Sequence, residues 1–134
     1  MTVVLVDVAN VVGSRPDGWW RDRAGATTRL LHRLTGLAGR ALPGPDGVPV
    51  AVTAVVAVVE GQARAADVPA GLRVVHAEGS GDDALAVVAA DLADGDDDLL
   101  VVTADRGLRA RLPAAARVTG PGWLLSAADG ATAG

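Results

Sequence analysis

The stretch VVLVD at residues 3–7 is an apolar run that ends on a carboxylate. Two further runs have the same design, AVTAVVAVVE at 51–60 and LLVVTAD at 99–105. Val-rich runs of this kind are typical of strands that are buried on both faces of a parallel sheet. An acid inside such a strand is costly, whereas an acid at its exit can reach water. We therefore expect the three terminal acids at the rim of a sheet.

These terminal acids are Asp7, Glu60 and Asp105. In open α/β sheets the ligand crevice lies outside the carboxyl ends of the strands, so we expect the three side chains to meet there. A fourth acidic point, Asp82 and Asp83, opens the helix-like segment DDALAVVAADLA. Together the acids predict a cation site at this edge of the sheet.

Strands alternate with helices along the chain, which favours βαβ units and a parallel sheet covered on both faces. The patterning predicts strands at 2–8, 50–59, 72–77, 98–103 and 116–118, helices at 19–38, 82–93 and 105–111, a short helix or loop at 61–66, and a terminal turn or helix at 122–128. The Pro/Gly-rich segment GRALPGPDGVPV is predicted to be a loop.

The first long helix carries an apolar stripe that includes Trp20, Leu31 and Leu34. Their helical spacing predicts one face against the sheet, with Trp20 in the core. Trp19 falls off that stripe, so it is expected to face solvent or a substrate groove.

The length of 134 residues suits one domain, with a small polar tail that we expect to fray at about 129–134. The chain has no Cys, so oxygen ligands are the plausible ones for a metal. The N-terminus lacks a basic region of the kind that begins a signal peptide. No apolar stretch reaches the ~20 residues that a membrane helix needs. We therefore expect a soluble, cytoplasmic protein with no membrane partner.

The net charge of −4 argues at first sight against a nucleic-acid partner. The candidate site holds five of the 16 acids, however, and the remaining 11 face 12 basic residues, all of them Arg. The rest of the surface is therefore about neutral. Divalent cations would offset the acidic cluster further, so a phosphate-bearing substrate is electrostatically allowed.

Carboxylates from several strand ends can hold one or two Mg²⁺ or Mn²⁺ ions, which prefer oxygen ligands. Such ions promote hydrolysis of phosphodiester bonds by activating water and by stabilising developing charge. Four of the five acids also have a structural interpretation, whereas Asp7 does not. Asp82, Asp83 and Asp105 stand at helix starts, where an acid caps free N–H groups, and Glu60 is also consistent with a solvated strand end.

Four segments carry a family resemblance. They are VDVANVVGSRPDGWW at 6–20, VVAVVEG at 55–61, GSGDDAL at 79–85 and VVTADRGLR at 101–109. In order and spacing they resemble the NYN nucleases, a branch of the PIN-like nucleases that also contains the YacP-like proteins. The resemblance spans nearly the whole chain and implies a three-layer α/β/α PIN-like fold with central parallel strand order 3-2-1-4-5.

The resemblance also implies an endoribonuclease that uses Mg²⁺ or Mn²⁺ and cleaves single-stranded or structured RNA. Carried onto this chain, it makes Asp7, Asp82 and Asp105 the metal-holding carboxylates, with Glu60 as a fourth. Asn10 would steady Asp7 or touch a substrate phosphate. Asp83 is either a ligand or a helix-start acid and ranks below Asp82.

Five secondary residues complete the predicted site. Arg15 and Arg106 are candidates for contacts with substrate phosphates. Trp19 is a candidate platform for stacking a base, although packing over the first helix is the favoured role. Thr103 and Ser80 are candidates to bond metal-bound waters or to support neighbouring carboxylates, and capping or turn roles are equally open to them.

Two alternatives compete with the nuclease. A phosphatase with Asp7 as nucleophile is disfavoured, because such proteins usually carry D-x-D at the first strand end and here Ala9 replaces the second Asp. A catalytically weak or inactive PIN-like module that binds RNA or protein remains open. The preference for RNA over DNA, a possible homodimer and the physiological target also remain open.

Overall fold

The structure is a computed structural model that describes residues 1–15, 18–61, 69 and 72–133. Twelve elements follow in chain order: β1 (Thr2–Asp7), α1 (Val8–Gly13), a 3-10 turn (Trp19–Arg21), α2 (Arg23–Leu34), β2 (Ala41–Leu42), β3 (Val50–Val59), β4 (Arg73–His76), α3 (Gly81–Ala93), β5 (Asp98–Val102), α4 (Arg106–Arg109), β6 (Arg117–Thr119) and α5 (Pro121–Ala133). The fold is a mixed α/β domain in which helices flank a central, mostly parallel sheet.

The sheet places β1 at its centre. β1 pairs in parallel with β3 on one side and with β5 on the other, β4 pairs in parallel with β3, and β6 with β5. When only the parallel strands are numbered, the order is 3-2-1-4-5, as predicted. The sixth strand, β2, pairs antiparallel with the start of β3 inside the segment that was predicted to be a loop.

Two hydrophobic clusters cover the two faces of the sheet. One combines Val4 and Val6 of β1 with buried residues of α1, α2 and α5. The other combines Val3 and Leu5 with buried residues of α3 and with Leu108 of α4. Because successive residues of a strand point to opposite faces, the continuous apolar run of β1 serves both clusters at once. The result is the predicted three-layer α/β/α arrangement.

The predicted helix at 19–38 is wrong at both ends. A 3-10 turn covers 19–21, and α2 begins only at Arg23, because the side chain of Asp22 caps it by accepting from the Gly25 N–H at 2.9 Å. The apolar stripe therefore does not extend back to Trp20, which is 57 % exposed instead of buried. Leu31 and Leu34, which lie within the helix, are fully buried as predicted.

The other element boundaries agree more closely with the sequence patterns. β3 covers the predicted range 50–59, whereas β1 stops at Asp7 because the unpredicted helix α1 begins at Val8. The terminal helix α5 extends to Ala133, so fraying of the tail stays a prediction. Most of the predicted segment 61–66 lies outside the described residues. None of the helices in the described ranges is long and apolar enough to cross a membrane.

The contrast between Leu31 and Trp20 gives a stability prediction. We expect Leu31→Ala to lower the free energy of unfolding by about 3 kcal/mol, because it empties a fully buried position between α2 and the sheet. Trp20→Ala removes a larger but exposed side chain and should change that free energy by less than about 1 kcal/mol. Urea unfolding of both variants measures the two values. A larger loss for Trp20→Ala would place that indole in the core.

Candidate functional site

The candidate acids come from different elements that end or begin at one edge of the sheet. Asp7 is the last residue of β1, Glu60 directly follows β3, and Asp105 lies three residues after the end of β5. Asp82 lies in the first turn of α3. Since β1, β3 and β5 are parallel neighbours, their carboxyl ends bring the acids to the same edge, as the sequence predicted.

Asp7 is the most buried of these acids, with 7 % of its surface exposed. Its carboxylate caps α1 by accepting from the Asn10 backbone N–H at 3.4 Å, and it accepts from the Thr103 hydroxyl at 2.9 Å. Burial raises the pKa of Asp7 above its ordinary value, and the charges of Asp82 and Glu60 raise it further, whereas the two hydrogen bonds lower it. Asp7 is therefore a fixed carboxylate in a place that disfavours its charge.

Thr103 ties Asp7 to the loop that follows β5. Its fully buried hydroxyl donates to Asp7 and accepts from the Asp105 backbone N–H at 3.1 Å. The guanidinium of Arg109 donates to the Thr103 carbonyl at 3.1 Å. Among the roles considered for Thr103, these hydrogen bonds agree with support of a neighbouring carboxylate.

Asn10 adds a second tie between the same two segments. Its side-chain carbonyl accepts from the Ala104 N–H at 2.8 Å, over a sequence separation of 94 residues. Asn10 thus steadies Asp7 through its backbone N–H, while its side chain holds the β5–α4 loop.

Asp105 caps a helix, as the structural interpretation of this residue predicted. Its carboxylate accepts from the Leu108 N–H at 3.0 Å and so begins α4. The cap uses one oxygen, Oδ1, and leaves the other without a hydrogen bond among the described residues. Capping and cation binding are therefore compatible roles for this side chain.

Glu60 is not a freely solvated strand end. Its carboxylate accepts a short hydrogen bond from the Gly81 N–H at the start of α3. A Cβ at Gly81 would collide with that carboxylate, so glycine is what allows the close approach. This contact joins the end of β3 to the beginning of α3.

Asp82 and Asp83 differ sharply in their surroundings. Burial raises the pKa of Asp82, and the charges of Asp105 and Glu60 raise it further, while Arg111 lowers it. The Asp82 carboxylate has no hydrogen-bond or ion-pair partner among the described residues. Asp83 is exposed and pairs with Arg111 at 2.7 Å. The helix itself is capped by Ser80, whose hydroxyl accepts from the Asp82 N–H at 3.2 Å.

No protein-family model matches the chain, and no curated protein matches it in sequence. Solved structures do match. The crystal structure of Rae1 (YacP) from Bacillus subtilis aligns with a TM-score of 0.73 at 15 % identity, covering 99 % of this chain and 76 % of that one. A tryptophan-to-leucine mutant of Rae1 aligns with a TM-score of 0.75 at 16 % identity, covering 99 % and 78 %. The chain has a YacP-like fold.

The acids of this YacP-like fold interact with one another through their charges. Asp82 and Glu60 act on Asp7, and Asp105 and Glu60 act on Asp82, in each case raising the pKa. Like charges shift each other's pKa in this way only when they lie close together. The four acids thus form one electrostatic cluster, which we call the acid cluster (Asp7, Glu60, Asp82 and Asp105).

The donor chemistry of the acid cluster fits a hard divalent cation. All its donors are carboxylate oxygens, and a cation would offset the charge repulsion that, together with burial, raises the pKa values of Asp7 and Asp82. Among the residues that the structure describes, however, no three His, Cys, Asp or Glu side chains are already arranged to hold a metal ion. Binding would therefore require side chains to turn inward, and the unpartnered Asp82 carboxylate is the one least restrained from doing so.

The remaining predicted residues lie in different places relative to the acid cluster. Arg106 is exposed beside Asp105, whereas Arg15 lines a cavity formed with α2 and α5. The side chain of Trp19 lies outside what the structure describes. Sequence reasoning missed Arg109, Arg111 and Gly81, whose contacts with the site depend on tertiary structure. The only sequence signal for Gly81 was its place in GSGDD.

Proposed function

We propose that this chain is a metal-dependent endoribonuclease that hydrolyses RNA phosphodiester bonds at the acid cluster. The observation that supports this most is the buried carboxylate of Asp7, held at the carboxyl end of the central strand beside three acids that raise its pKa or that of Asp82. Proteins rarely keep a buried carboxylate beside other acids without a compensating ligand or a functional use. The YacP-like fold and the resemblance of the four sequence segments to NYN nucleases support the same activity.

The proposed cofactor is Mg²⁺ or Mn²⁺, held by Asp7, Asp82 and Asp105 with Glu60 as a fourth ligand. When bound, it would supply positive charge that stabilises the developing charge on a phosphodiester during hydrolysis. Thr103 and the Asn10 backbone N–H fix the orientation of Asp7, so that little reorganisation is needed there. Gly81 fixes Glu60 in the same way. Asp83 is left to its surface ion pair with Arg111.

Two adjacent acids provide a matched test of this proposal. We expect Asp82→Asn to lower Mn²⁺-dependent cleavage of a labelled RNA by more than about 100-fold, because it removes a carboxylate of the acid cluster. Asp83→Asn makes the same change one residue away, where only an exposed ion pair is lost, and should alter the rate by less than about threefold. Initial rates in nuclease-free preparations, with and without EDTA, measure both effects.

The outcomes separate the nuclease from the alternative. Equal rates for Asp82→Asn and the unmodified chain would reject this assignment of ligands. The second candidate function is a catalytically inactive PIN-like module that binds RNA or protein. It is favoured by the observation that the described acids are not already arranged around a metal position. Thermal stabilisation by Mn²⁺ without any RNA cleavage would support that module. If Mn²⁺ does not stabilise the protein and no RNA is cleaved, both functions are contradicted.

A further inference from the structure

The cavity that Arg15 lines has a volume of about 170 Å³ and lies between the end of α1, α2 and α5. We call it the arginine cavity. Its lining consists of five apolar residues and three arginines: Val11, Val12, Ala26, Leu30, Leu125, Arg15, Arg29 and Arg33. Arg29 and Arg33 are one helical turn apart on α2, so they project from the same face of the helix. Arg15 reaches the cavity from the turn that follows α1.

The arginine cavity has more positive charge than the surrounding protein neutralises. Arg33 forms an ion pair with Asp129 and donates to the Leu125 carbonyl at 3.5 Å. Neither the Arg15 nor the Arg29 guanidinium has an ion-pair or hydrogen-bond partner among the described residues. Among the described residues, one carboxylate, that of Asp129, pairs with one of the three guanidinium groups. Like charges gathered around a small cavity repel one another, and an anion bound between them relieves that repulsion.

The arginine cavity also lies beside a cavity that reaches the acid cluster. A neighbouring cavity of about 320 Å³ is lined by residues of α1 and α2 and by Glu60 of the acid cluster. Val12 of α1 belongs to the walls of both cavities. The two cavities therefore adjoin at Val12, and we call the pair of them, from Glu60 to the three arginines, the track.

From this geometry we infer that the arginine cavity binds a backbone phosphate of the RNA strand whose scissile bond lies at the acid cluster. This inference rests on the proposed function. Guanidinium groups are suited to the ligand, because their planar N–H pairs match phosphate oxygens and remain charged at every physiological pH. The apolar floor of the cavity provides a surface for the adjoining sugar. The arginine side chains at one end of the track and the acid cluster at the other would set the position of the RNA strand along it.

The double variant Arg15→Gln/Arg29→Gln tests this inference. It removes the two unpartnered arginines and leaves the Arg33–Asp129 ion pair in place. We expect KM for a labelled single-stranded RNA to rise about tenfold with kcat little changed, since a phosphate distant from the reacting bond contributes mainly to binding. The salt dependence of binding should also weaken, with the slope of log Kobs against log salt concentration reduced by about 0.7 for one lost phosphate contact.

Binding is best measured directly in the Asp7→Asn background, which is expected not to cleave the RNA. Arg73→Gln serves as the matched control. Arg73 is exposed at the start of β4, so it lies at the amino ends of the parallel strands, whereas the acid cluster lies at their carboxyl ends. Equal RNA affinity for the double variant and this control would overturn the inference, even if Asp82→Asn abolished cleavage. Conversely, reduced affinity of the double variant with no cleavage by the unmodified chain would retain the phosphate site and reject the nuclease.

Discussion

Asp7→Asn should make the protein more stable while abolishing RNA cleavage. The carboxylate of Asp7 is buried beside other acids, so its charge costs stability at neutral pH, which is why its pKa is raised. The amide of asparagine has the same shape. Its oxygen can still accept from the Asn10 N–H, and its NH2 group can donate to the Thr103 hydroxyl. We expect a gain on the order of 1 kcal/mol, or about 3–5 °C in Tm, in buffer that contains EDTA. Cleavage with Mn²⁺ should fall by more than about 100-fold.

The pH dependence of this gain follows from the direction of the pKa shift. Since the folded state holds the Asp7 proton to a higher pH than the unfolded state does, stability declines as pH rises through the interval between the two pKa values. The advantage of Asp7→Asn should therefore be largest above the raised pKa and should shrink in acid. Asp98→Asn, at the exposed start of β5, is the matched control. A loss of stability in Asp7→Asn at neutral pH would contradict a destabilising charge at this position.

Thr103→Val should impair both stability and activity, because one buried hydroxyl makes two hydrogen bonds. Its replacement by a methyl group leaves the Asp105 N–H without its acceptor and Asp7 without its hydroxyl donor. We expect a loss of about 1–3 kcal/mol in the free energy of unfolding, measured by urea titration. The loss should be greater at pH 8 than at pH 4, because the hydrogen bond from Thr103 lowers the pKa of Asp7 and its removal disfavours the charged form further.

The same variant should alter the pH profile of cleavage. Asp7 must be ionised to hold a cation, so a higher pKa moves the acid limb of the profile to higher pH. Thr103→Ser keeps the hydroxyl and loses only a methyl group, and it should retain the profile of the unmodified chain. If Thr103→Val and Thr103→Ser shared one profile, the hydroxyl would have no influence on the charge of Asp7.

The parallel core and the positions of the acids were predictable from the sequence for a simple physical reason. A strand that is buried on both faces shows a continuous apolar run, and the first acid after the run marks its exit, as at Asp7 and Glu60. The order 3-2-1-4-5 came from the family resemblance and is confirmed by the pairing of the strands. The roles of the individual site residues stay predictions.

What the sequence patterns missed depends on local caps or on distant contacts. Asp22 caps α2 and sets its start. The predicted helix, in contrast, continued past this cap toward the N-terminus and included Trp20 in its apolar stripe. Thr103 and Asp7 meet across 96 residues, and Glu60 and Gly81 across 21. No local periodicity encodes such pairs, because the sheet and the helices bring them together only in the folded chain.

The central position of β1 also determines when the acid cluster can form. Thr2 of β1 lies opposite Val52 of β3 on one side and opposite Asp98 of β5 on the other. Pairings over such sequence separations are closed late, and they slow folding. During synthesis the apolar first strand must therefore wait for most of the chain before both of its neighbours exist. Since Thr103 and Asp105 directly follow β5, a chain synthesised only as far as α3 still lacks part of the acid cluster.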